Sequence, residues 1–292
     1  MASLGTLINS NCNDGRCERV RRGEIHPVHD LTDLEENRAK SLHELVNLGS
    51  ELAGGSVGAA AGLAFAGTGG AVAGSIIGTG MGYVLKHLGE EVARRLLSSR
   101  EKTRLGAVLI YTINKIEYNI QKGHSLRKDD FFTESSHEHS AANEIAEGIL
   151  LAAQKDYEEK KLPYYGNLLA NIAFSPGVSR GHANMLIKLA LNLSYRQLCL
   201  LSIFGKTPNF NLRQENYLST SSLPVGVTAL LHEVLEMEKL ALISSDNVVS
   251  GMTYLCPGNL KLEGQGEILH KLMELNEIQL DDLSPLVELL SK

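Results

Sequence analysis

The sequence predicts a mainly α-helical protein, with an N-terminal helical glycine-zipper domain and a C-terminal helical domain that ends in a winged-helix-like module. Three observations predict it: a charge-free, glycine-rich run over residues 53–85, apolar residues at helical spacing through most of the following chain, and a helix, helix, strand, strand, helix order near the C-terminus. With 292 residues, of which 43% are hydrophobic and 21% charged, the chain is long enough for two or three folded domains.

Small residues recur at every fourth position of the charge-free run, and we call this set the glycine ladder: Gly54, Gly58, Gly62, Ala66, Gly70, Gly74, Gly78 and Gly82. On a helix this spacing places all of them on one face, where another backbone can approach closely. Each glycine costs a helix interior about 1 kcal/mol relative to alanine, so the ladder needs helix–helix contact or lipid to offset that cost. We therefore predict membrane insertion and self-association. The alternative is a helical hairpin packed in a soluble core.

The length of the ladder leaves its topology open. If the cluster at 67–70 breaks the helix, the ladder forms two arms of about 15 residues each, whereas a hydrocarbon span needs about 20. One continuous helix and a hairpin therefore both stay possible. Glycine and alanine fill more than half of the run, which favours conditional insertion over a permanent anchor. The basic residues that follow are expected to flank the membrane on its cytoplasmic side: Lys86, Arg94, Arg95, Arg100 and Arg104.

The rest of the chain predicts a defined order of segments. We expect a flexible tail at 1–29, a helical glycine-zipper membrane-active domain at 30–124, a linker at 125–140, a helical domain at 141–192 and the winged-helix-like module at 193–292. Helices are predicted at 105–123 with Gly123 as the C-cap, at 141–162, from Pro163 to 174, at 181–193 after a Ser179 cap, and at 195–204, 224–240 and 260–275. Strands are predicted at 240–243 and 251–256.

Charge argues against nucleic acid as a partner. The net charge of −6 and the pI near 5.9 give no general attraction to phosphate. The second helix of the winged-helix-like module carries Glu233, Glu236 and Glu238 against one Lys239, so it would repel a DNA backbone. We therefore expect this module to contact a protein partner.

Motifs for catalysis and metal binding are missing from the sequence. It contains no phosphate-binding loop, no HExxH and no GxSxG, so we expect neither an enzyme nor a cofactor. The tail residues Cys12, Cys17, His26 and His29 fit no familiar zinc spacing, and His137 and His139 lack a third ligand, so no metal site is predicted. The charged run at 156–161 is predicted to be the solvated end of a helix.

The stretch YEEKKLPYYGNLLANIAF at 157–174, followed by a turn, a helix and LSYRQLCLLSIF at 193–204, resembles bacterial abortive-infection proteins of the alpha type. The core of the likeness is NLLA at 167–170, and the resemblance covers residues 140–290. It implies a role in phage defence in which an infected cell is arrested or killed. The glycine ladder is similar to the glycine zippers of cell-death effector domains, which implies membrane damage as the killing step. Neither resemblance supplies catalytic residues.

Together these patterns predict a membrane-disrupting effector of bacterial anti-phage defence. In this hypothesis the C-terminal half holds the protein inactive or couples it to a regulatory protein partner, a trigger frees residues 53–85, and several copies permeabilise the inner membrane. Few, scattered cysteines and an N-terminus without signal-peptide features lead us to expect a cytoplasmic inactive form and an inner-membrane active form. The alternative is a soluble regulator or adaptor whose winged-helix-like module binds a protein or DNA.

Overall fold

The computed structural model describes residues 80–134, 138–220, 222–245 and 251–292, without the side chains of residues 93 and 94. Within these residues the protein is mainly helical, as predicted, with nine α-helices and one antiparallel pair of short strands. The elements are α1 Gly80–Arg94, α2 Ser99–Gln121, α3 Ala141–Lys155, α4 Leu162–Ile172, α5 Arg180–Asn192, α6 Tyr195–Phe204, α7 Val225–Lys239, β1 Ile243–Ser244, β2 Lys261–Leu262, α8 Gln265–Met273 and α9 Leu280–Leu290.

Serine caps start several of these helices. At α2, the Ser98 hydroxyl accepts from the Glu101 N–H while the Glu101 carboxylate accepts from the Ser98 N–H, which is a capping box. These hydrogen bonds, with one from Gln154, lower the pKa of Glu101 to about 2. Ser179 caps α5 as predicted, and α6 has the predicted bounds. The predicted C-cap glycine, Gly123, lies two residues after α2 with φ at 84°.

Helix α3 ends earlier than predicted, because the run at 156–161 is not a solvated helix end. Asp156 leaves the helix with extended backbone, and its carboxylate accepts from the Tyr165 hydroxyl at 2.7 Å and forms an ion pair with Lys161. The side chains of Asp156 and Lys161 are 5% and 1% exposed. A buried charge pair of this kind needs its partner, so it fixes the chain reversal between α3 and α4.

Helix α4 occupies the centre of the fold and packs closely along α2. A Cβ atom at Gly166 would lie 2.5 Å from the Tyr111 Cβ, so glycine is what allows the two helices to approach. Leu168, Leu169 and Ala170, the last three residues of the NLLA sequence, are buried. In this structure these residues of NLLA are part of the hydrophobic core.

The C-terminal region departs from the prediction at its strands. The predicted strand at 251–256 is a 3₁₀ turn at Met252–Tyr254, and β1 pairs instead with β2, in the register Ile243 to Leu262 and Ser244 to Lys261. The reason is that this stretch hydrogen-bonds to another loop: the Tyr217 N–H donates to the Thr253 carbonyl at 2.8 Å. Helix α8 begins five residues later than predicted, and α9, which follows it, was not predicted.

A polar seam joins α4 to the C-terminal end of α8. The side-chain amide of Asn171 donates to the Leu272 carbonyl at 2.9 Å and to Glu274, and that of Asn167 donates to the Met273 carbonyl at 3.2 Å. These bonds satisfy carbonyls at the C-terminal end of α8. One hydrophobic cluster extends from α1 to α9 around this seam. The predicted domain boundaries stay a prediction.

Candidate functional site at helix α1

Helix α1 connects the glycine ladder to the rest of the fold. It begins at Gly80 and includes Gly82, the last position of the ladder. One face of the helix is almost fully buried against α2 and α3, through the side chains of Met81, Val84, Leu85, Leu88 and Val92. The last six residues of the charge-free run, 80–85, are therefore part of the folded helical body.

The start of α1 is held by the segment before α3. A Cβ atom at Gly80 would lie 2.8 Å from the Phe132 Cβ, so the absence of a side chain permits this contact. Phe132 belongs to a 3₁₀ turn whose Phe131 side chain is buried. The Arg127 guanidinium lies 4.2 Å from the centre of the Phe131 ring and donates to the Val178 carbonyl at 2.9 Å. These contacts fix the turn against the loop before α5.

Just after the end of α1, an arginine pairs with two carboxylates. The Arg95 Nη2 atom lies 2.8 Å from Glu91 Oε1, on α1, and 3.1 Å from Glu147 Oε1, on α3. The hydrogen bond to Glu91, followed by that to Glu147, raises the pKa of Arg95 despite partial desolvation. These two ion pairs connect α1 to α3 at the protein surface.

Two further members of the predicted basic flank also have partners within the fold. Arg100 Nε donates to Glu159 Oε1 at 2.9 Å. Arg104 donates to the Gln154 carbonyl at 3.2 Å. Lys86 is half-buried on α1, and the Arg94 side chain lies outside the described atoms. The described guanidinium groups of this flank therefore bind to α3 and to the turn that follows it.

Beside α1 lies a cleft of about 370 Å³, which we call the α1 cleft. It is lined by α1, by α3 and by the residues just before α3, and Arg180 at the start of α5 closes one side. Four carboxylates face it, from Glu91, Glu138, Glu144 and Glu147, with two histidines at its rim, His87 and His139.

Arg180 pairs with two of the carboxylates in this lining. Its guanidinium donates to the Glu144 carboxylate and lies 3.7 Å from Glu138 Oε2. The hydrogen bond from Arg180, followed by one from Asn184, lowers the pKa of Glu144, so this group is a carboxylate at neutral pH. Each of the four carboxylates has a guanidinium partner: Glu91 and Glu147 pair with Arg95, and Glu138 and Glu144 pair with Arg180.

Asn143 adds an unpaired acceptor to the same cleft. Its backbone N–H is capped by the Ser140 hydroxyl, and its Nδ2 donates to Glu134 Oε1 at 2.6 Å. The residue is 6% exposed, and its buried Oδ1 atom has no hydrogen-bond partner among the residues that the structure describes. A buried acceptor without a donor costs about 1–3 kcal/mol, so this oxygen is an energetically unfavourable feature of the cleft lining.

A second cluster lies at the start of α4, beside Pro163 and Tyr164. The Tyr195 hydroxyl donates to Asp282 Oδ2 at 2.8 Å, beside Lys160, in a cavity of about 340 Å³. Burial raises the pKa of Tyr164 to about 12 and that of Cys199 to about 11, so both are protonated at neutral pH. Among the residues that the structure describes, no three His, Cys, Asp or Glu side chains form a metal-binding group.

Most of the predicted ladder lies outside the described residues. This applies to Gly54, Gly58, Gly62, Ala66, Gly70, Gly74 and Gly78, and equally to Cys12, Cys17, His26, His29 and His137. The α1 cleft was not predicted from the sequence. Its carboxylates come from three separate segments, and only Glu144 and Glu147, three residues apart on one helix, share a local spacing.

No protein-family profile, curated protein or solved structure matches this chain. Over the described ranges, no single helix has the length and apolar character of a membrane span, although α5 and α6 together pass the same test across a bend of 112°.

Proposed function

We propose that this protein is a membrane-disrupting effector of bacterial anti-phage defence, in which the helical body holds the glycine ladder until a trigger releases it. The observation that carries the proposal is the continuity of the ladder with α1. A charge-free segment spaced for close helix pairing runs directly into a helix that is docked on the body by five buried apolar side chains.

The free energy of docking of α1 indicates which part of the charge-free run would leave the body. Exposing five apolar side chains of this size costs about 7–15 kcal/mol, which is comparable with the total stability of a domain. Release of α1 itself would therefore unfold much of the body. We propose that α1 stays docked, that residues 53–79 enter the inner membrane, and that several copies pair through the glycine face.

In the same mechanism, the side chains of the basic flank form contacts with the body that can be released. Arg95 and Arg100 bind carboxylates of the body, and partly exposed ion pairs of this kind contribute only about 0–1 kcal/mol each. Arg104, whose side chain is 11% exposed, binds a backbone carbonyl. Anionic lipid competes for such side chains at about 1 kcal/mol for each basic residue. The flank can thus exchange internal partners for lipid phosphate when the body meets a membrane.

The test uses the full chain and dye-filled vesicles of phosphatidylethanolamine and phosphatidylglycerol. Replacing Gly58, Gly62, Gly74 and Gly78 by leucine is expected to abolish leakage and toxicity on expression, because the side chains block helix pairing. The matched control is Gly177→Leu with Gly181→Leu, where a Cβ atom meets nothing within 4 Å. Unchanged leakage in the ladder variant, with an unchanged circular dichroism spectrum, would contradict the proposal.

A soluble adaptor is the second candidate, and the internal pairing of Arg95, Arg100 and Arg104 favours it. In this case we propose that residues 193–292 form a winged-helix-like module that binds a protein partner through α7, where Glu236 is exposed. Cell fractionation separates the two candidates. Recovery in the soluble fraction during phage infection, without loss of viability, would favour the adaptor.

A further inference from the structure

The cavity at the start of α4 is lined by tyrosines from three helices. Tyr111 comes from α2, Tyr164 from α4 and Tyr195 from α6, and Pro163 lies beside them. The ring centres of Tyr164 and Tyr195 are 6.1 Å apart, and their planes are inclined at 32°. The volume of about 340 Å³ lies in the range of small-molecule sites.

The packing of the fold holds two of these tyrosines in place. Tyr111 lies where α2 and α4 approach each other most closely, since a Cβ atom at Gly166 would be 2.5 Å from the Tyr111 Cβ. The Tyr195 hydroxyl donates to Asp282 Oδ2 at 2.8 Å and so connects α6 to α9. A ligand of this cavity would therefore pay little for ordering the aromatic lining.

The carboxylates of the cavity already have partners. Asp282 Oδ1 lies 2.5 Å from Lys160 Nζ, and Glu159 accepts from Arg100 at 2.9 Å. The hydrogen bond from Lys160, followed by that from Tyr195, lowers the pKa of Asp282, so this group is negatively charged at neutral pH. A ligand with N–H groups would compete for these oxygens. A quaternary ammonium ion has no N–H group and needs only aromatic faces and a nearby negative charge.

The side chain of Lys160 already makes the contacts that such a cation would make. Its ammonium lies 5.3 Å from the centre of the Tyr195 ring, which is within the range of a cation–π interaction, and it pairs with Asp282. The Lys160 side chain is 64% exposed, and exposed ion pairs contribute little to stability. A cation from solution can therefore replace this ammonium at a small cost in free energy.

We propose that this cavity binds a quaternary ammonium group, carried by a free solute or by a lipid headgroup, among Tyr111, Tyr164 and Tyr195. The bound cation takes the place of the Lys160 ammonium, which moves into solvent. The tyrosine rings attract the cation through their negative faces, and Asp282 supplies the opposite charge. This binding does not depend on the proposed effector function.

Titration of the full chain with choline chloride tests the site, with saturation-transfer NMR of the choline methyl protons as the measurement. The uncharged isostere of choline, in which carbon replaces the nitrogen, should bind about tenfold more weakly, because it keeps the shape and loses the charge. Lys160→Met should bind choline several-fold more tightly than the wild type, since it removes the competing ammonium and keeps an apolar stem. A lysine with only a structural role would give no such gain.

Variants of the aromatic lining provide the matched comparison. Tyr195→Leu should weaken choline binding about tenfold, whereas Tyr195→Phe keeps the ring and should bind within a factor of about two of the wild type. The control is Tyr157→Leu, at a tyrosine that is 82% exposed and does not line the cavity. Circular dichroism verifies that each variant is folded.

Four results would each overturn the proposal: no saturable binding of choline, equal binding of its uncharged isostere, unchanged affinity in a folded Tyr195→Leu variant, or no gain in Lys160→Met. If Tyr195→Leu fails to fold, the Lys160→Met variant and the isostere still decide.

Once choline binding is established, phosphatidylcholine vesicles identify its source. Retention of the protein on these vesicles, reversed by free choline, assigns the site to a lipid headgroup, and binding of choline without retention assigns it to a free solute. The vesicles of the leakage test contain no quaternary ammonium lipid, so failure of this site and failure of the effector function are distinguishable.

Discussion

His270 lies on α8 with its Nε2 atom buried against Gly205, and within the described part of the chain this atom has no hydrogen-bond partner. Burial is the main cause that lowers its pKa, and the nearby charge of Lys206 lowers it further. The folded protein therefore holds this imidazole neutral, whereas the unfolded chain binds a proton near pH 6.5. Stability from this group is present above pH 6.5 and is lost as the pH falls from there through the lower pKa of the folded state.

We expect His270→Leu to remove that acid sensitivity. The wild-type free energy of unfolding should fall more steeply than that of the variant as the pH is lowered from 7.5 to about 5, since only the wild type must protonate a buried imidazole. Urea denaturation at several pH values measures the difference. His232→Gln, at an exposed position on α7, is the control and should follow the wild type. Parallel profiles for wild type and His270→Leu would refute this prediction.

A local sequence pattern does not determine whether a charged residue is buried, as the run at 156–161 shows. Its composition is that of a solvated helix end, yet Asp156 and Lys161 lie buried beside Tyr165. The neighbouring sequence gives no sign that these two residues are buried, because their pairing depends on the chain reversal that brings α4 back onto α3. The desolvated ion pair is a product of tertiary packing.

At the scale of elements, helix ends are the features that local chemistry determines best. The Ser179 cap of α5 and the glycine after α2 were identified from sequence, because each satisfies backbone groups within a few residues. The capping box of α2 was not predicted, although Ser98 and Glu101 have its spacing. The interiors of helices followed from apolar periodicity in the same way.

Ser98→Ala should lower the free energy of unfolding by about 0.5–2 kcal/mol, because the Glu101 N–H loses its acceptor. Chemical denaturation measures the loss. Ser284→Ala on α9 is the matched control: its hydroxyl donates to the Leu280 carbonyl inside the helix, where alanine is the better helix former. An equal loss in both variants would show that the cap does not stabilise α2.

Strands were predicted less well than helices because their partners are distant in sequence. The stretch at 251–256 has an apolar composition suited to a strand, but two consecutive residues, Leu255 and Cys256, are both buried. A strand with one buried face alternates, so this pattern belongs to a loop wedged into the core. The pairing of β1 with β2 depends on where α8 approaches Leu242, whose carbonyl would lie 1.8 Å from a Cβ at Gly266.

At the scale of the whole molecule, the seam around Asn171 couples the helices near α1 to the C-terminal helices. Its amide bonds to the end of α8, and its Oδ1 accepts from Asn119 of α2 at 3.0 Å. The backbone of Glu274 is in the left-handed region, with φ at 55°. Its side-chain Oε1 atom forms an ion pair with Lys115 Nζ at 2.6 Å. This interface joins parts of the chain that are about 100 residues apart.

Asn171→Ala should lower the free energy of unfolding by about 1–3 kcal/mol, because the Leu272 carbonyl and the Asn119 amide lose their partners. Hydrogen exchange should increase in α4 and in α8 together, since one core spans both. Asn192→Ala, at the exposed end of α5, should change neither. Faster exchange in α4 alone would mean that the two regions unfold independently.

The sequence by itself determined the helical class, the positions of most helices and the spacing of the glycine ladder, because these depend on interactions within a few residues along the chain. Tertiary structure alone decided that residues 80–85 dock on the helical body, that Asp156 and Lys161 are buried as a pair, and that four carboxylates gather beside α1. The physical reason is the same in each case: desolvation and charge clustering depend on which distant segments meet, and local periodicity carries no information about that.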